Sequence, residues 1–145
     1  MPLPAPEPGL VISYAYLWHS EYEQGHEEGK KDRPCAIILT AFNEADDTVV
    51  AVLPVTHSAP QNPDEAVEIP YPVKQRLGLD DARSWVIVNE TNRFVWPGPD
   101  LRQVRSAEGG RFDYGLLPPG LYRAIRDRFL ACAKAQRLRA VPRTE

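Results

Sequence analysis

The chain is short of cysteine, methionine, histidine and long apolar runs, and each shortage removes a class of protein. Two cysteines in 145 residues, Cys35 and Cys132, are too few for a disulfide framework and fit a reducing cytosol. His19, His26 and His57 are scattered, and no Cys-x-x-Cys or His-x-x-x-His spacing suggests zinc. Gly25 and Gly29 are too sparse for a phosphate-cradling loop, and no serine sits between the glycines of a nucleophile elbow. No apolar run approaches the roughly 18 residues of a membrane span. The segment Met1–Pro8 has neither a basic region nor an apolar core, so it reads as a stiff lead-in rather than a secretory signal. The expectation is a cytoplasmic protein with no metal, no cofactor and no membrane contact.

What is present is an ordinary globular balance, 43% hydrophobic and 26% charged, on a length that suits a single domain over 1–145. The net charge of −3 argues mildly against general nucleic-acid binding, but the charge is unevenly spread. Residues 1–72 hold 3 basic and 12 acidic side chains, whereas residues 73–145 hold 14 and 8. Such a split can give an acidic protein a basic face. For Arg123, Arg126, Lys134, Arg137 and Arg139, solvation of a terminal helix is the simpler reading.

The apolar runs are short and separated by turn signals. Val11–Trp18, Cys35–Ala41, Thr48–Val55, Val67–Ile69 and Trp85–Val88 suit strands. Asn43–Asp47 reads as a hairpin loop, Ala59–Asp64 as a longer one, and Val73–Leu77, closed by Gly78, as one helical turn. The prolines of Phe94–Pro99 argue against a central strand there. From Pro119 to about 138, Leu121, Ile125, Phe129 and Cys132 recur at helical spacing, with Leu117 one turn earlier. The fold expected is mainly β with a C-terminal helix: five or six short strands in a strongly bent sheet or small barrel. Trp18 and Trp85 are expected in the core, and Trp96, in a Pro-Gly-rich stretch, at the surface.

The most informative stretch is Lys30-Lys31-Asp32-Arg33-Pro34, where a polar acidic loop (His19 to Asp32) ends and an apolar strand begins. Proline biases the residue before it to extended geometry, so Arg33 should project from a defined strand entrance. Polar groups also close two other apolar runs: Thr56, His57 and Ser58 after Val55, and Asn89, Glu90, Thr91 and Asn92 after Val88. In a bent sheet these ends can converge on Arg33, and a cation with hydroxyl and amide donors suits an oxyanion or phosphodiester. Taken alone, Thr56 and Ser58 are also ordinary turn residues, and Asn89 and Asn92 ordinary loop caps.

The order of these features resembles the PemK/MazF family of toxin endoribonucleases from toxin–antitoxin pairs. The matching pieces are Gly9-Leu10-Val11, the acidic loop ending in Arg33-Pro34, and the Ala-Ile-Ile-Leu strand. They continue through Val52-Leu53-Pro54-Val55-Thr56-His57-Ser58 and Val88-Asn89-Glu90 to Leu-Pro-Pro before the last helix. The resemblance runs from about Gly9 to Gln136. It implies an SH3-like barrel, usually a homodimer, that cuts single-stranded RNA without metal and is inhibited by a small antitoxin protein. The ribose 2′-hydroxyl would attack the adjacent phosphate. Arg33 would stabilise the phosphorane or protonate the leaving oxygen, and Thr56 would hydrogen-bond the same phosphate. Some members carry an aspartate near the position of Asn89, and an amide is no general base. His57, whose ordinary pKa suits proton transfer, is the candidate in its place, with Glu27 or Glu28 as alternative sources of charge. Glu28, Lys31, Ser58, Asn89 and Glu90 complete the expected substrate-binding set. Two other readings stay open: a non-catalytic SH3-like module that binds protein or nucleic acid, and a gyrase-poisoning relative.

Overall fold

The computed structural model describes residues 3–26, 29, 31–104 and 110–143. Nine strands form one sheet, and three short or medium helices accompany it. In chain order the elements are β1 (Leu10–Tyr14), α1 (His19–Glu23), β2 (Arg33–Phe42), β3 (Thr48–Thr56) and, after a 3₁₀ turn (Pro63–Glu65), β4 (Ala66–Glu68). Then come α2 (Tyr71–Leu77), β5 (Trp85–Ile87), β6 (Glu90–Val95), β7 (Leu101–Arg102), β8 (Asp113–Leu116), α3 (Pro119–Lys134) and β9 (Arg139–Pro142). The main path runs β4-β5-β3-β2-β1-β7, with β6 on β3 and β8 on β1. Every pairing is antiparallel except β6 with β9, which is parallel.

The centre of the sheet is buried on both faces, which explains why its strands read as continuous apolar runs rather than alternating ones. Leu10, Ile12 and Tyr14 of β1, Cys35 and Ile37 of β2, and Val50 and Val52 of β3 face one cluster with Phe94 and Leu101. The alternate residues Val11, Ala36, Ile38, Leu53 and Val55 face the other, beneath Ile125, Phe129 and Cys132 of α3 and Leu77 of α2. The amphipathic helix thus covers one face, and Tyr14 stacked on Phe94 with centroids 4.5 Å apart anchors the other. Two β3 neighbours divide its length: β6 pairs with Val49–Val52 and β5 with Val55–Thr56. The sheet changes partners there, and the far end of β3 is carried away from β6.

A mainly β chain with a C-terminal helix is what the sequence leads one to expect, but the details differ. The sheet is open, since β4 and β7 end its path without pairing to each other, so it is not a closed barrel. Strands β7, β8 and β9 are additional to the five or six expected. The segment containing Phe94 and Val95 is a strand with two neighbours; Pro97 and Pro99 lie just past its end, where no ladder donor is needed. The loop after Trp18 opens with a helical turn, α1, in which the Glu21 carboxylate accepts a 3.2 Å hydrogen bond from the Trp18 N–H. Helix α3 ends at Lys134 rather than near 138. Trp96 is half-buried against Phe94, not displayed at the surface. No helix among the described residues is long and apolar enough to cross a membrane.

A buried polar knot holds β9 in place. The Arg143 guanidinium donates to the Ala15 carbonyl at 2.8 Å, to Asn92 Oδ1 at 2.9 Å and to Asp100 Oδ2 at 2.7 Å. Asn92 in turn donates to the Leu17 carbonyl and accepts from the Leu17 N–H, at 2.7 and 2.9 Å. This fixes the exit of β1, and with it the position of Trp18. Asn92, read from the sequence as a cap, is instead a fully buried strand residue.

Candidate functional site

The register of one hairpin builds the site. Strands β2 and β3 pair with Cys35 opposite Pro54. Arg33 is the first residue of β2 and Thr56 the last residue of β3, so both stand at this end of the hairpin. Arg33 is fixed there by a 3.3 Å hydrogen bond from Nη1 to the Val55 carbonyl. Its guanidinium carbon lies 4.8 Å from the Trp18 ring centroid. Its Nε is buried and has no hydrogen-bond partner among the described residues. A buried guanidinium donor left open in this way favours an anionic acceptor. Gly29 lies so close to the backbone just past β1 that a side chain there would collide with the Tyr16 and Ala15 carbonyls.

A groove of about 890 Å³ opens over this hairpin end. Lys31, Arg33, Thr56, His57 and Ser58 all line it, beside Trp18, Asp80, Ser84 and Tyr114. Five of the residues expected from the sequence therefore converge. Thr56 Oγ1 accepts the Ser58 N–H at 3.2 Å, closing a short turn, which leaves the hydroxyl hydrogen available to a ligand. Burial pushes the Tyr114 phenol up, against a hydrogen bond with Ser13 that lowers it, so the ring stays neutral in the groove wall.

His57 is not isolated. Its Nε2 lies 2.7 Å from Asp80 Oδ2, and Asp80 Oδ1 lies 2.7 Å from Lys74 Nζ. Lys74, 2% exposed, also donates to Ser84 Oγ at 2.6 Å and to the Ala82 carbonyl. Partial burial alone would raise the Asp80 carboxyl, but the Lys74 ammonium and His57 outweigh it and hold Asp80 below the usual carboxylate range. Gly78, left-handed at φ 73°, ends α2 and turns the chain so that Asp80 reaches the groove.

The remaining expected residues stand elsewhere. Asn89 donates to Glu65 at 2.9 Å, outside the groove. Glu90 Oε1 accepts from the Tyr16 hydroxyl at 3.1 Å and the His19 N–H at 3.0 Å, bracing β6 to the start of α1. Burial pushes the Glu90 carboxyl up, in spite of those two hydrogen bonds, and burial beside Glu90 pushes the Tyr16 phenol up as well. Glu27 and Glu28 lie outside the described residues.

Sequence reasoning missed Trp18, expected in the core, and the trio Lys74, Asp80 and Ser84. One signal pointed to Lys74: it falls beside Val73 and Leu77 on the inward face of α2, where a charge requires a partner. Among the described residues no group of three His, Cys, Asp or Glu side chains is placed to hold a metal ion. No family model matches the chain, and no match emerges among curated proteins.

Proposed function

We propose that the groove binds a phosphodiester of single-stranded RNA and cleaves it, as a cytoplasmic toxin-type endoribonuclease of PemK/MazF kind. The observation that carries this reading is the convergence of Arg33, Lys31, Thr56, His57 and Ser58 on one groove. A held cation and hydroxyl groups lining one groove suit the stabilisation of developing phosphorane charge. In this scheme His57 Nδ1 takes the 2′-hydroxyl proton, and the 2′-oxygen bonds to phosphorus. The phosphorus–5′-oxygen bond then breaks, solvent protonates the leaving oxygen, and a 2′,3′-cyclic phosphate remains. Arg33 and Thr56 hold the non-bridging oxygens, while Lys31 and Ser58 secure the backbone. Asn89 and Glu90 drop out of the substrate-binding set, because their side chains are committed to Glu65, Tyr16 and His19.

The family reading also entails an open-edged relative of the SH3-like barrel, a homodimer, and a small antitoxin protein as inhibitor. An acidic antitoxin segment laid across Lys31 and Arg33 would block the same anion site. A second reading, a non-catalytic binding module, is favoured by the diversion of Asn89 from the groove and by the net charge of −3. Cleavage of a long single-stranded RNA in excess EDTA, with Arg33→Ala alongside, separates the two. Discrete cuts that vanish in the folded variant support the ribonuclease; intact RNA with both proteins supports the binding module.

A further inference from the structure

Beyond the groove residues themselves, a chain of contacts leads from the interior to His57. Lys74 is almost wholly buried, and each of its visible acceptors is short: Ser84 Oγ, the Ala82 carbonyl and Asp80 Oδ1. Ser84 does not act as a nucleophile activated by this lysine. Its oxygen accepts from the ammonium, and its hydroxyl donates to the Ala82 carbonyl at 3.1 Å, so both of its roles are taken. Asp80 has a second stabilising bond, from the Ala82 N–H to the same Oδ1 at 3.2 Å. One carboxylate oxygen is thus locked from behind, and the other faces His57 Nε2.

We infer that Asp80, clamped by Lys74, is the positioning residue for His57, setting its tautomer so that Nε2 carries the proton and Nδ1 presents its lone pair to the groove. The inference rests on the ribonuclease reading for its catalytic consequence. An exposed imidazole on a turn rotates freely and wastes its proton-accepting orientation; a carboxylate that is itself immobile fixes both ring plane and tautomer. The anchoring is asymmetric in a useful way. The ammonium is buried and the imidazole is 58% exposed, so rigidity comes from the interior while the reacting edge stays open to substrate. The other charged and titratable groups lining the groove are Lys31, Asp32 and Arg33 at the entrance of β2 and Tyr114 on β8. Asp32 is directed to Arg102 at 3.6 Å, which leaves Asp80 as the carboxylate on the imidazole.

The test combines RNA cleavage with nitrogen-15 NMR of the imidazole ring, on wild type, Asp80→Asn and Asp80→Glu, each checked for folding by circular dichroism. The expected result is a folded Asp80→Asn protein whose kcat falls roughly 10- to 100-fold with little change in KM, and partial recovery in Asp80→Glu. In the wild type, at a pH where the imidazole is neutral, His57 Nε2 should resonate as protonated and Nδ1 as unprotonated; in Asp80→Asn the two signals should move towards each other. Wild-type cleavage rates in folded Asp80→Asn, or ring signals unchanged by the substitution, would overturn the proposal. If Asp80→Asn does not fold, Lys74→Met, which loosens Asp80 from behind, should shift the ring signals in the same sense, and unchanged signals would overturn it equally. RNA left intact by a wild type whose ring signals do respond to Asp80 would sink the ribonuclease reading and leave the positioning in place.

Discussion

The guanidinium of Arg33 lies over the indole of Trp18, at the mouth of the groove. An exposed arginine samples many rotamers, but one held between an aromatic face and the Val55 carbonyl is already aimed before substrate arrives. Removing the ring should therefore cost activity more than stability. Trp18→Ala is expected to remain folded and to lose about tenfold in kcat/KM, the equivalent of about 1.4 kcal/mol. Arg33→Lys should not restore the activity lost in Arg33→Ala, because an ammonium neither stacks nor offers a planar fork. Single-turnover cleavage of a short RNA, with thermal melts of each variant, checks both.

The Lys74–Asp80 contact makes a statement about acid. Because Asp80 ionises more readily in the folded protein, its contribution is present above the ordinary carboxylate pKa and is lost as pH falls through the lower folded value. Asp80→Asn should lower the urea midpoint at about pH 7 and converge with the wild type once the pH has fallen below the folded value. Asp80 is more than half exposed, so the neutral-pH loss should be modest, on the order of 1 kcal/mol. Urea titrations at the two pH values give the comparison.

Glu90 has the opposite sign. Its carboxyl is raised in the fold, so the folded state holds its proton more tightly and loses stability as pH rises from the usual carboxylate range through the folded value. Glu90→Gln keeps an acceptor for Tyr16 and the His19 N–H and carries no charge to desolvate. Its melting temperature should match or exceed that of the wild type at about pH 7, and the advantage should disappear near pH 4. Calorimetry across that range tests the sign directly.

Arg143 is buried with Asp100 and Asn92, so truncating it takes the 2.7 Å donor from Asp100 Oδ2 and leaves Asn92 Oδ1 with the Leu17 N–H. Arg143→Ala is expected to cost about 3–5 kcal/mol, while replacing Arg143 and Asp100 together by apolar residues should cost less than the single change. A double-mutant cycle in urea measures the difference.

The parts of this molecule legible in the sequence are those fixed by neighbours along the chain. The β2–β3 hairpin follows from two apolar runs around Asn43–Asp47, and its open end carries Arg33 and Thr56, which both line the groove. Helix α3 follows from the spacing of Ile125, Phe129 and Cys132. What stayed hidden depends on distant partners. Strand β7 has two residues and no periodicity to detect. Strand β9, Arg139–Pro142, is four residues long and ends in proline, so it carries no strand pattern of its own and pairs along the edge of β6. Trp18 lies at the end of an apolar run and so reads as core, yet the run leaves the sheet at Tyr14, and the ring ends on Arg33. Lys74 and Asp80 are near in sequence, but their link to His57 is set by how α2 packs.

The Arg143–Ala15 hydrogen bond joins residues 128 positions apart. During synthesis, β6 must leave the ribosome with its outer edge bare and wait for the 43 residues between Pro99 and Arg143 that include β9. Until then the exit of β1, which carries Trp18 to Arg33, has lost part of its anchorage. Folding of this kind, dominated by contacts remote in sequence, is intrinsically slow, and an uncovered strand edge is a site for pairing with other chains. A nascent copy would therefore lack part of the anchorage that sets Trp18 beside Arg33 until Arg143 had been added and folded back onto Ala15.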